Sequence, residues 1–591
     1  MTNKKVSFWR IFWPSLIAGM VILTVIFVLF AGAIGSLLSS TPVYTVKDKT
    51  ILHLQLKGDI GEISKSEINI NSFGMTNRTG LADLLYGFEK AAKDDQIKGV
   101  FVELQNARCG YSTATEIRNA INKFEKESGK FVVAYHSGEA ISLKQYYIAS
   151  AASENYGFHS SMFEFLGLGT ELMFYKGMFD KLDLEMQVIR GSNNDFKSAV
   201  EPYFLTEMSD SSRLQIQTYL NNIWSAVRAD IGADRNISIE ELDRIAEKGL
   251  VRRVGQAVEY NLIDDVMYRD EVIQLLAEKI NVKSTEDLNF KGFEKYAQNK
   301  FEDQQNMAHV KKANVAVIIA EGNVIVEGDG LASKNITKLL RDARKDDDIK
   351  TIVFRINSPG GSALASDEIW REVKLANDKK KVIVSMGDVA ASGGYYIAAP
   401  ATKIFAEETT ITGSIGVFGV IPYTGKMLEN KLGLSFDRVS TNQHAVLSTN
   451  QKLNEKEFKI IQDEVDHIYA DFLKVVAEGR GMTIEQVNTV ARGRVWTGKD
   501  ALRVGLVDTL GGINDAIAYA AKNAGIQNPT VRYYPKAEKE AWIELIEAFE
   551  EEDNTVKENL IPAELTEMYK RIKQVEQMTG IQARLPYEII W

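Results

Sequence analysis

The sequence has very little of the chemistry that metal sites and disulfides require. Among its 591 residues there is one cysteine, Cys109, and there are six histidines. A single cysteine excludes an intramolecular disulfide and a cysteine-rich metal site. The histidines form neither a His-x-x-x-His pair nor a His-Glu-x-x-His helix, which argues against a zinc hydrolase. We therefore expect no metal site.

Features that bind phosphate groups are also missing. The sequence has no Walker-type loop, and its net charge of -10, with a pI near 5.5, does not suit a nucleic-acid surface. We therefore expect no nucleic-acid partner. The chain is longer than one hydrophobic core supports, so several domains are expected.

Basic residues precede a long apolar stretch at the N-terminus. Lys4, Lys5 and Arg10 lie before residues 16–38, which carry no charge. Roughly 20 apolar residues span a membrane, and flanking basic residues keep their side in the cytoplasm. We predict a cytoplasmic segment at 1–15, a transmembrane anchor at 16–38 and the rest of the chain outside. A cleavable signal peptide is the alternative, because small residues stand at 31–33.

Four short patterns occur twice in the same order, which indicates a domain duplication. KDDQIK at 93–98 is repeated as KDDDIK at 345–350, and YYIAS at 146–150 as YYIAA at 395–399. The offset of about 250 residues is that of a domain and not of a short solenoid repeat. In each half, strand-like runs alternate with helical stretches, which predicts parallel βαβ units and an α/β fold.

These patterns predict the domain boundaries. We place an N-terminal domain at 47–300 and a C-terminal domain at 313–535, with a charged linker between them. The remainder, 536–591, is an acidic tail that is helical in pattern. We interpret this tail as a solvated or packing helix and not as a site.

A serine lies where a buried strand turns into a helix. The strand-like run at 381–385 leads into ASGGYY at 391–396, which places Ser392 at the helix N-terminus among small residues. Free N–H groups there suit an anion, as acyl transfer by a nucleophile needs. In the first half, alignment on the repeated tyrosines puts Leu143 opposite Ser392, so the turn occurs once. An ordinary Ser-Gly-Gly turn is the alternative.

A second glycine-rich strand end lies upstream in the same half. NSPGGS at 357–362 has no Pro-Gly-Gly counterpart in the first half. Its glycines are candidates to form an oxyanion hole together with the N–H of Gly393. A plain tight turn is the alternative.

A nucleophilic serine needs a base, and the sequence offers a histidine and a lysine. His444 lies in a polar stretch that is typical of a solvated loop. Lys197 lies among small and apolar neighbours, and its counterpart in the second half is Leu447. Lowering its pKa from near 10.4 to about 7 requires roughly 4–5 kcal/mol, which burial between domains supplies. An ordinary surface lysine is the alternative.

Four motifs together resemble one protease family. They are NSPGGS at 357–362, ASGGYY at 391–396, TGSIGV at 412–417 and KSAVEP at 197–202. In this order they closely resemble signal peptide peptidase A, also called protease IV, in its long bacterial form with two tandem domains. The resemblance implies two crotonase-like or Clp-protease-like domains and a membrane-bound serine protease that degrades cleaved signal peptides.

The resemblance also assigns roles to residues. It implies Ser392 as the nucleophile, Lys197 as the general base and Ser414 as a residue that positions the lysine. Gly393, with Gly360 or Gly361, would form the oxyanion hole.

The resemblance further implies partners and a location. It implies peptide substrates, no cofactor, a homotetramer and a single-pass protein of the inner membrane with its catalytic domains on the outer, periplasmic side. A crotonase-type acyl-coenzyme-A enzyme and a catalytically inactive membrane scaffold remain as alternatives.

Overall fold

The computed structural model describes residues 13, 20, 46–69, 74–298, 313–328, 330–535 and 581–584. All helices and strands named below lie in the compact unit that begins at Lys49. Residues 49–298 are called the first half and residues 313–535 the second half. In the part of the chain that the structure describes, no helix is both long and apolar enough to cross a membrane. The predicted anchor at 16–38 lies outside the described residues except for Met20.

The first half alternates strands with helices, as predicted. Its described strands are β1 (Thr50–Gly61), β2 (Lys65–Asn69), β3 (Gly74–Gly80), β4 (Ile97–Arg108), β5 (Phe131–His136), β6 (Ala140–Ile141), β7 (Glu154–Gly157), β8 (Met162–Phe163), β9 (Glu185–Arg190), β10 (Asp265–Val266) and β11 (Asn289–Gly292). Its described helices are α1 (Leu81–Lys93), α2 (Tyr111–Ser128), α3 (Leu143–Ala149), α4 (Lys176–Lys181), α5 (Glu201–Phe204), α6 (Asp210–Arg235), α7 (Ile239–Lys248), α8 (Val254–Glu259), α9 (Arg269–Lys279) and α10 (Phe293–Gln298).

The second half alternates in the same way. Its described strands are β12 (Val315–Glu321), β13 (Val324–Ile325), β14 (Leu331–Ala332), β15 (Thr351–Ser358), β16 (Gly360–Ser362), β17 (Val382–Ala391), β18 (Lys403–Ala406), β19 (Ile411–Gly413), β20 (Phe418–Tyr423), β21 (Val495–Thr497), β22 (Thr509–Leu510) and β23 (Val531–Tyr534), followed in the tail by β24 (Ile581–Arg584). Its described helices are α11 (Ser333–Lys345), α12 (Ala363–Lys379), α13 (Gly393–Ala398), α14 (Gly425–Leu432), α15 (Glu455–Arg480), α16 (Ile484–Val490), α17 (Gly498–Arg503) and α18 (Ile513–Asn523).

The main sheets of the two halves repeat one strand order. The first runs β10-β7-β5-β4-β1-β11 and the second β22-β18-β17-β15-β12-β23, with parallel pairing throughout both paths. Parallel strands are buried on both faces, which is why β17 reads as an almost continuous apolar run and is buried along its whole length. The predicted α/β fold with parallel sheets is confirmed.

Individual contacts repeat as well. The hydroxyl of Tyr146 donates to the carbonyl oxygen of Leu262 at 2.7 Å, and that of Tyr395 donates to Leu506 at 2.8 Å. The first tyrosine of each repeated Tyr-Tyr pair therefore binds the corresponding segment near the C-terminal end of its own half. This agreement of side-chain contacts, beyond strand order, is what an internal duplication leaves.

A third sheet is built from both halves. Its order is β14-β13-β16-β24-β20-β9, and β9 of the first half pairs antiparallel with β20 of the second, from Arg190 opposite Phe418 to Glu185 opposite Tyr423. β24 belongs to the tail predicted to be helical. The four described residues of that tail form a strand, and the helical stretch predicted there lies outside the described residues.

A buried charge cluster also joins the halves. The guanidinium of Arg355, fully buried in β15, donates to Glu62 at 2.9 Å and to Glu116 at 2.6 Å. Both acceptors come from the first half. Asp388, in β17, accepts from the backbone N–H of Gly110 and Thr113 at the start of α2. Since each side supplies charges that the other neutralises, neither half presents this surface to water.

This cluster predicts that stability depends on pH. Burial raises the pKa of Glu62 to about 7, although Arg355 opposes the shift. Its folded state then holds a proton that the unfolded chain has lost, so its contribution is full below the unfolded pKa and fades as pH rises toward 7. We expect Glu62→Gln to flatten the fall in unfolding free energy between pH 5 and pH 7, measured by urea denaturation.

Glu103→Gln is the matched control. Hydrogen bonds from His53 and Arg269 outweigh burial and lower the pKa of Glu103 to about 2. Its contribution is therefore constant between pH 5 and pH 7, and its loss should leave the slope unchanged. Equal slopes for the wild type and Glu62→Gln would contradict the prediction.

Candidate active site

Ser392 occupies a strained turn between β17 and α13. Its φ of 54° and ψ of -115° lie outside the regions that non-glycine residues favour. Such a conformation costs on the order of 1–3 kcal/mol and persists when its surroundings impose it. Here the Ser392 N–H donates to the carbonyl oxygen of Gly413, and its own carbonyl accepts from Tyr396, both at 2.8 Å. The turn directs the hydroxyl away from the helix, since it caps no helical N–H.

The glycines after the serine allow close packing. A Cβ on Gly394 would lie 2.7 Å from the carbonyl oxygen of Ser358, at the end of β15. A side chain there would push α13 away from that strand end. The small residues noted in the sequence thus bring the two glycine-rich strand ends together.

Lys197 reaches this turn from the first half. The pairing of β9 with β20 brings this segment of the first half against the second half, and Lys197 lies seven residues after the end of β9. Its Nζ lies 2.8 Å from Ser392 Oγ and donates to both the carbonyl oxygen and the Oγ of Ser414, each at 3.0 Å. The structure brings all three predicted residues together, and each is fully buried.

The surroundings of the lysine favour its neutral form. Burial lowers the pKa of Lys197 well below its ordinary value, and no acidic group contributes to oppose it. A neutral amine has two N–H groups and one lone pair. Ser414 accepts both N–H groups, so the lone pair is left to face Ser392 Oγ. This arrangement suits a base that takes the proton of the serine hydroxyl.

The other candidate residues lie as follows. Gly393 is the first residue of α13, while Gly360 and Gly361 lie in β16, where the Gly360 N–H donates to Ser358 Oγ at 3.2 Å. His444 Nδ1 lies 3.6 Å from Glu457 Oε1. Among the described residues, the hydrogen bonds of Ser392 Oγ join it to Lys197 and to the carbonyl of Gly416, not to His444.

Comparisons with known proteins match this chain to peptidases. The sequence model of peptidase family S49 matches residues 124–283 and 374–527, and that of Clp protease matches 304–411. The chloroplastic serine protease SPPA of Arabidopsis thaliana is 33% identical over 497 residues, which cover 83% of this chain and 71% of that protein. Protease 4 of Salmonella typhi is 35% identical over 468 residues, 77% of this chain and 74% of that protein. Protease 4 of Haemophilus influenzae is 33% identical over 461 residues, 76% of this chain and 74% of that protein.

The chain belongs to peptidase family S49. It is a serine protease with a Clp-protease-like α/β fold, and the resemblance to protease IV is confirmed. Peptides are therefore its substrate class. The two segments that the S49 model matches agree with the repeated strand order. Membership in this family selects the protease over the acyl-coenzyme-A enzyme and the inactive scaffold.

Sequence reasoning missed two residues that hold the lysine of this S49 peptidase. Gln215, in α6, donates through Nε2 to the carbonyl of Phe196 and to Ser198 Oγ, on either side of Lys197. Gly493 packs against the lysine backbone, where a Cβ would lie 2.6 Å from the Lys197 nitrogen. Neither has a local signal in the sequence, because each acts through a contact between distant segments.

The position of Gly493 gives a direct test of lysine placement. Its φ is +78°, so Gly493→Ala adds backbone strain and also a clash that displaces Lys197. We expect kcat for peptide hydrolysis to fall by at least about tenfold, because small misplacements of catalytic groups are costly.

Gly505→Ala is the matched control. Gly505 has a φ of +81° but nothing within 4 Å of the added Cβ. It therefore carries the same backbone strain without the clash, and kcat should stay within about twofold. Equal losses of activity in the two variants would assign the effect to strain alone and contradict a role in placing the lysine.

In the first half of the S49 chain, a side chain occupies the region that corresponds to the Ser392 turn. The side-chain amide of Gln145, which aligns with Gly394, lies against the backbone N–H groups of Asn106 and Ala107; with its oxygen oriented toward these donors, it accepts from them at 2.8 and 3.0 Å. These groups lie at the end of β4, the counterpart of β15. A side chain thus satisfies the donors at the strand end, and Leu143 takes the position that corresponds to Ser392.

Proposed function

We propose that this S49 protease works with a Ser392–Lys197 dyad and degrades cleaved signal peptides as an endopeptidase. The observation that carries the proposal is the 2.8 Å separation of Lys197 Nζ and Ser392 Oγ, two side chains that are both fully buried. This distance is within the range for proton transfer to a general base. The substrate is inferred from the signal peptide peptidase resemblance and from a related chain of Enterococcus faecium, named a putative signal peptide peptidase SppA, which is 36% identical over 204 residues.

In the proposed mechanism the neutral amine of Lys197 takes the proton of Ser392 as Oγ attacks the peptide carbonyl carbon. Ser414 holds the amine through its two acceptors. The carbonyl oxygen becomes an oxyanion that accepts hydrogen bonds from the Gly393 N–H and from the backbone at Gly360 or Gly361.

Collapse of this intermediate breaks the C–N bond. The ammonium of Lys197 returns the proton to the leaving amine, and Ser392 is left as an ester. Water, deprotonated by the same lysine, then attacks the ester and releases the carboxyl product with a free serine. No cofactor takes part in these steps.

The proposal includes attachment to the inner membrane through residues 16–38, with the catalytic halves on the periplasmic side. The basic residues before this stretch support that orientation. It would keep the protease near substrates that remain in the membrane.

A homotetramer is part of the same proposal. The segment at 432–439 exposes Leu432, Leu434, Phe436 and Val439, the last with 96% of its surface accessible. Large exposed apolar side chains grouped in this way are typical of surfaces that another subunit covers.

A covalent label tests the dyad. A fluorophosphonate probe should modify Ser392 of the full chain, as identified by peptide mass spectrometry, because the buried base activates this hydroxyl. The label should be lost in Ser392→Ala and in Lys197→Met. A label on another serine, or one that persists without Lys197, would overturn the assignment.

A further inference from the structure

The loop before Lys197 contains one asparagine whose side chain is turned inward. Residues 191–196, here called the lysine loop, lie against the second half. Three exposed side chains of this loop bind residues there; the pairs are Ser192 with Asp466, Asn193 with Asn488 and Asp195 with Arg492. Asn194 lies among them but is only 3% exposed. Its side chain therefore serves some purpose other than fastening the loop to the surface of the second half.

The amide of Asn194 lies among glycine backbones beside the nucleophile. A Cβ on Gly416 would lie 2.6 Å from Asn194 Oδ1, and one on Gly191 would clash with the nitrogen of the same amide. The carbonyl oxygen of Gly416 lies 3.5 Å from Ser392 Oγ. The backbone carbonyl of Asn194 also accepts from the N–H of Lys197 at 3.1 Å. Asn194 is thus next to both members of the proposed dyad.

This buried amide has polar atoms to spare. Among the described residues, neither Asn194 Nδ2 nor Asn194 Oδ1 has a hydrogen-bond partner. Each unsatisfied buried group costs roughly 1–3 kcal/mol, so an apolar side chain would suit the resting structure better. A buried water needs about two to four polar partners. The amide offers a donor and an acceptor, and the Gly416 carbonyl offers a second acceptor.

The proposed reaction has one step that requires a positioned water. Once Ser392 carries the acyl group, a water must attack the ester carbon while Lys197 takes a proton from it. Both of these side chains are fully buried. Bulk water does not surround such an ester, so the attacking molecule has to be held by groups of the protein.

We propose that Asn194 holds the water that hydrolyses the acyl-enzyme, with the carbonyl oxygen of Gly416 as a second partner. The proposal rests on the proposed function, since it requires an ester on Ser392. The water gives one proton to the neutral amine of Lys197 as its oxygen bonds to the ester carbon. Collapse of the intermediate then breaks the bond from that carbon to Ser392 Oγ, and the ammonium of Lys197 returns the proton to Oγ. The products are the peptide carboxyl group and free enzyme.

An amide suits this position better than a carboxylate. It supplies polar atoms without a negative charge, and a negative charge near Lys197 would favour the ammonium form, which cannot act as a base.

The test separates deacylation from acylation in the full chain. The substrate is the p-nitrophenyl ester of N-acetyl-leucine, an activated ester for which kcat/KM reports acylation and kcat reports hydrolysis of the acyl-enzyme. We expect Asn194→Leu to lower kcat by at least about tenfold, because the water is no longer positioned. KM should fall in proportion, so that kcat/KM stays within about twofold. Peptide mass spectrometry should then find the acetyl-leucyl group accumulated on Ser392.

Asn193→Leu is the matched control, because it makes the same exchange at the neighbouring, exposed position and loses only the bond to Asn488. Both kcat and kcat/KM should stay within about twofold of the wild type. Asn194→Ala, which is too small to clash with Gly416, should repeat the pattern of Asn194→Leu. An unchanged kcat in Asn194→Ala, or a fall of kcat/KM as large as that of kcat, would overturn the proposal.

Failure of the proposed function would look different. A wild type that takes no fluorophosphonate label on Ser392 would remove the nucleophile, and the role of Asn194 with it. A wild type that takes the label, with hydrolysis of the ester unaffected by the Asn194 substitutions, would leave the dyad in place and remove only the water-holding role.

Discussion

Replacing Lys197 by methionine is expected to lower kcat for peptide hydrolysis by about 10⁴-fold. Methionine fills a similar volume but has no lone pair that takes the serine proton, and a lone serine hydroxyl is a weak nucleophile. The measurement is hydrolysis of a fluorogenic apolar peptide across pH 6 to 10. In the wild type, activity should rise with pH through a group that titrates well below the ordinary lysine range, because burial lowers the pKa of Lys197.

Lys144→Met is the control for this prediction. Lys144 is a partly buried lysine near the corresponding turn of the first half, and its Nζ donates to the carbonyl of Cys109 at 2.6 Å. Its loss should change kcat by less than about threefold, because it does not contact Ser392. Activity of Lys197→Met above a tenth of the wild type would contradict the base assignment.

The Lys197→Met substitution is also expected to stabilise the fold. A lysine whose folded pKa is depressed destabilises the protein at any pH below its unfolded pKa, because folding must expel the proton. Each unit by which folding lowers this pKa costs up to about 1.36 kcal/mol. We expect Lys197→Met to raise the unfolding free energy by about 1–3 kcal/mol after the loss of its hydrogen bonds. Lower stability together with lost activity would indicate a damaged fold and not a missing base.

Replacing Arg355 by methionine is expected to destabilise the protein by about 3–5 kcal/mol. Arg355 is fully buried between the carboxyl groups of Glu62 and Glu116. Without the guanidinium, these two acidic groups of the first half face each other and the apolar sheet of the second. Calorimetry should show a lower unfolding temperature, and the loss should be greater at pH 8 than at pH 5, because burial raises the pKa of Glu62 to about 7.

An exposed arginine of the same half provides the comparison. Arg341 lies 3.5 Å from Glu372, with 46% of its side chain accessible to solvent. Arg341→Met should cost less than about 1 kcal/mol, because water screens such a pair. Equal costs for the two variants would show that the buried cluster does not hold the halves together.

The proposed catalytic residues were within reach of sequence reasoning because their motifs are local. Ser392 stands in a strand-to-helix turn, and Lys197 lies among small and apolar residues in the half without that turn. The force that brings them together is not local. The β9–β20 ladder and the Asp388 contacts to α2 join residues separated by more than 200 positions. No short sequence pattern predicts such a contact.

In the C-terminal tail, by contrast, the sequence did not predict the local structure. Its acidic, helix-like composition gave no reason to expect a strand, and the four described residues that pair with β16 and β20 are too few for their alternation of apolar and polar side chains to predict one. Two open edges impose the extended backbone on them. Local propensity is a weak guide where tertiary contacts decide the conformation.

The division of the proposed site between the two halves also sets when, during synthesis, the chain first becomes able to hydrolyse peptides. Lys197 leaves the ribosome 195 residues before Ser392, and the loop with Gly493 follows later still. At roughly 5–20 residues per second, a growing chain carries the lysine without its serine for about 10–40 s. A ribosome that stalls between the halves releases a fragment without Ser392, the proposed nucleophile. Translation itself thus delays activity, because the proposed site is complete only after Gly493 has been added.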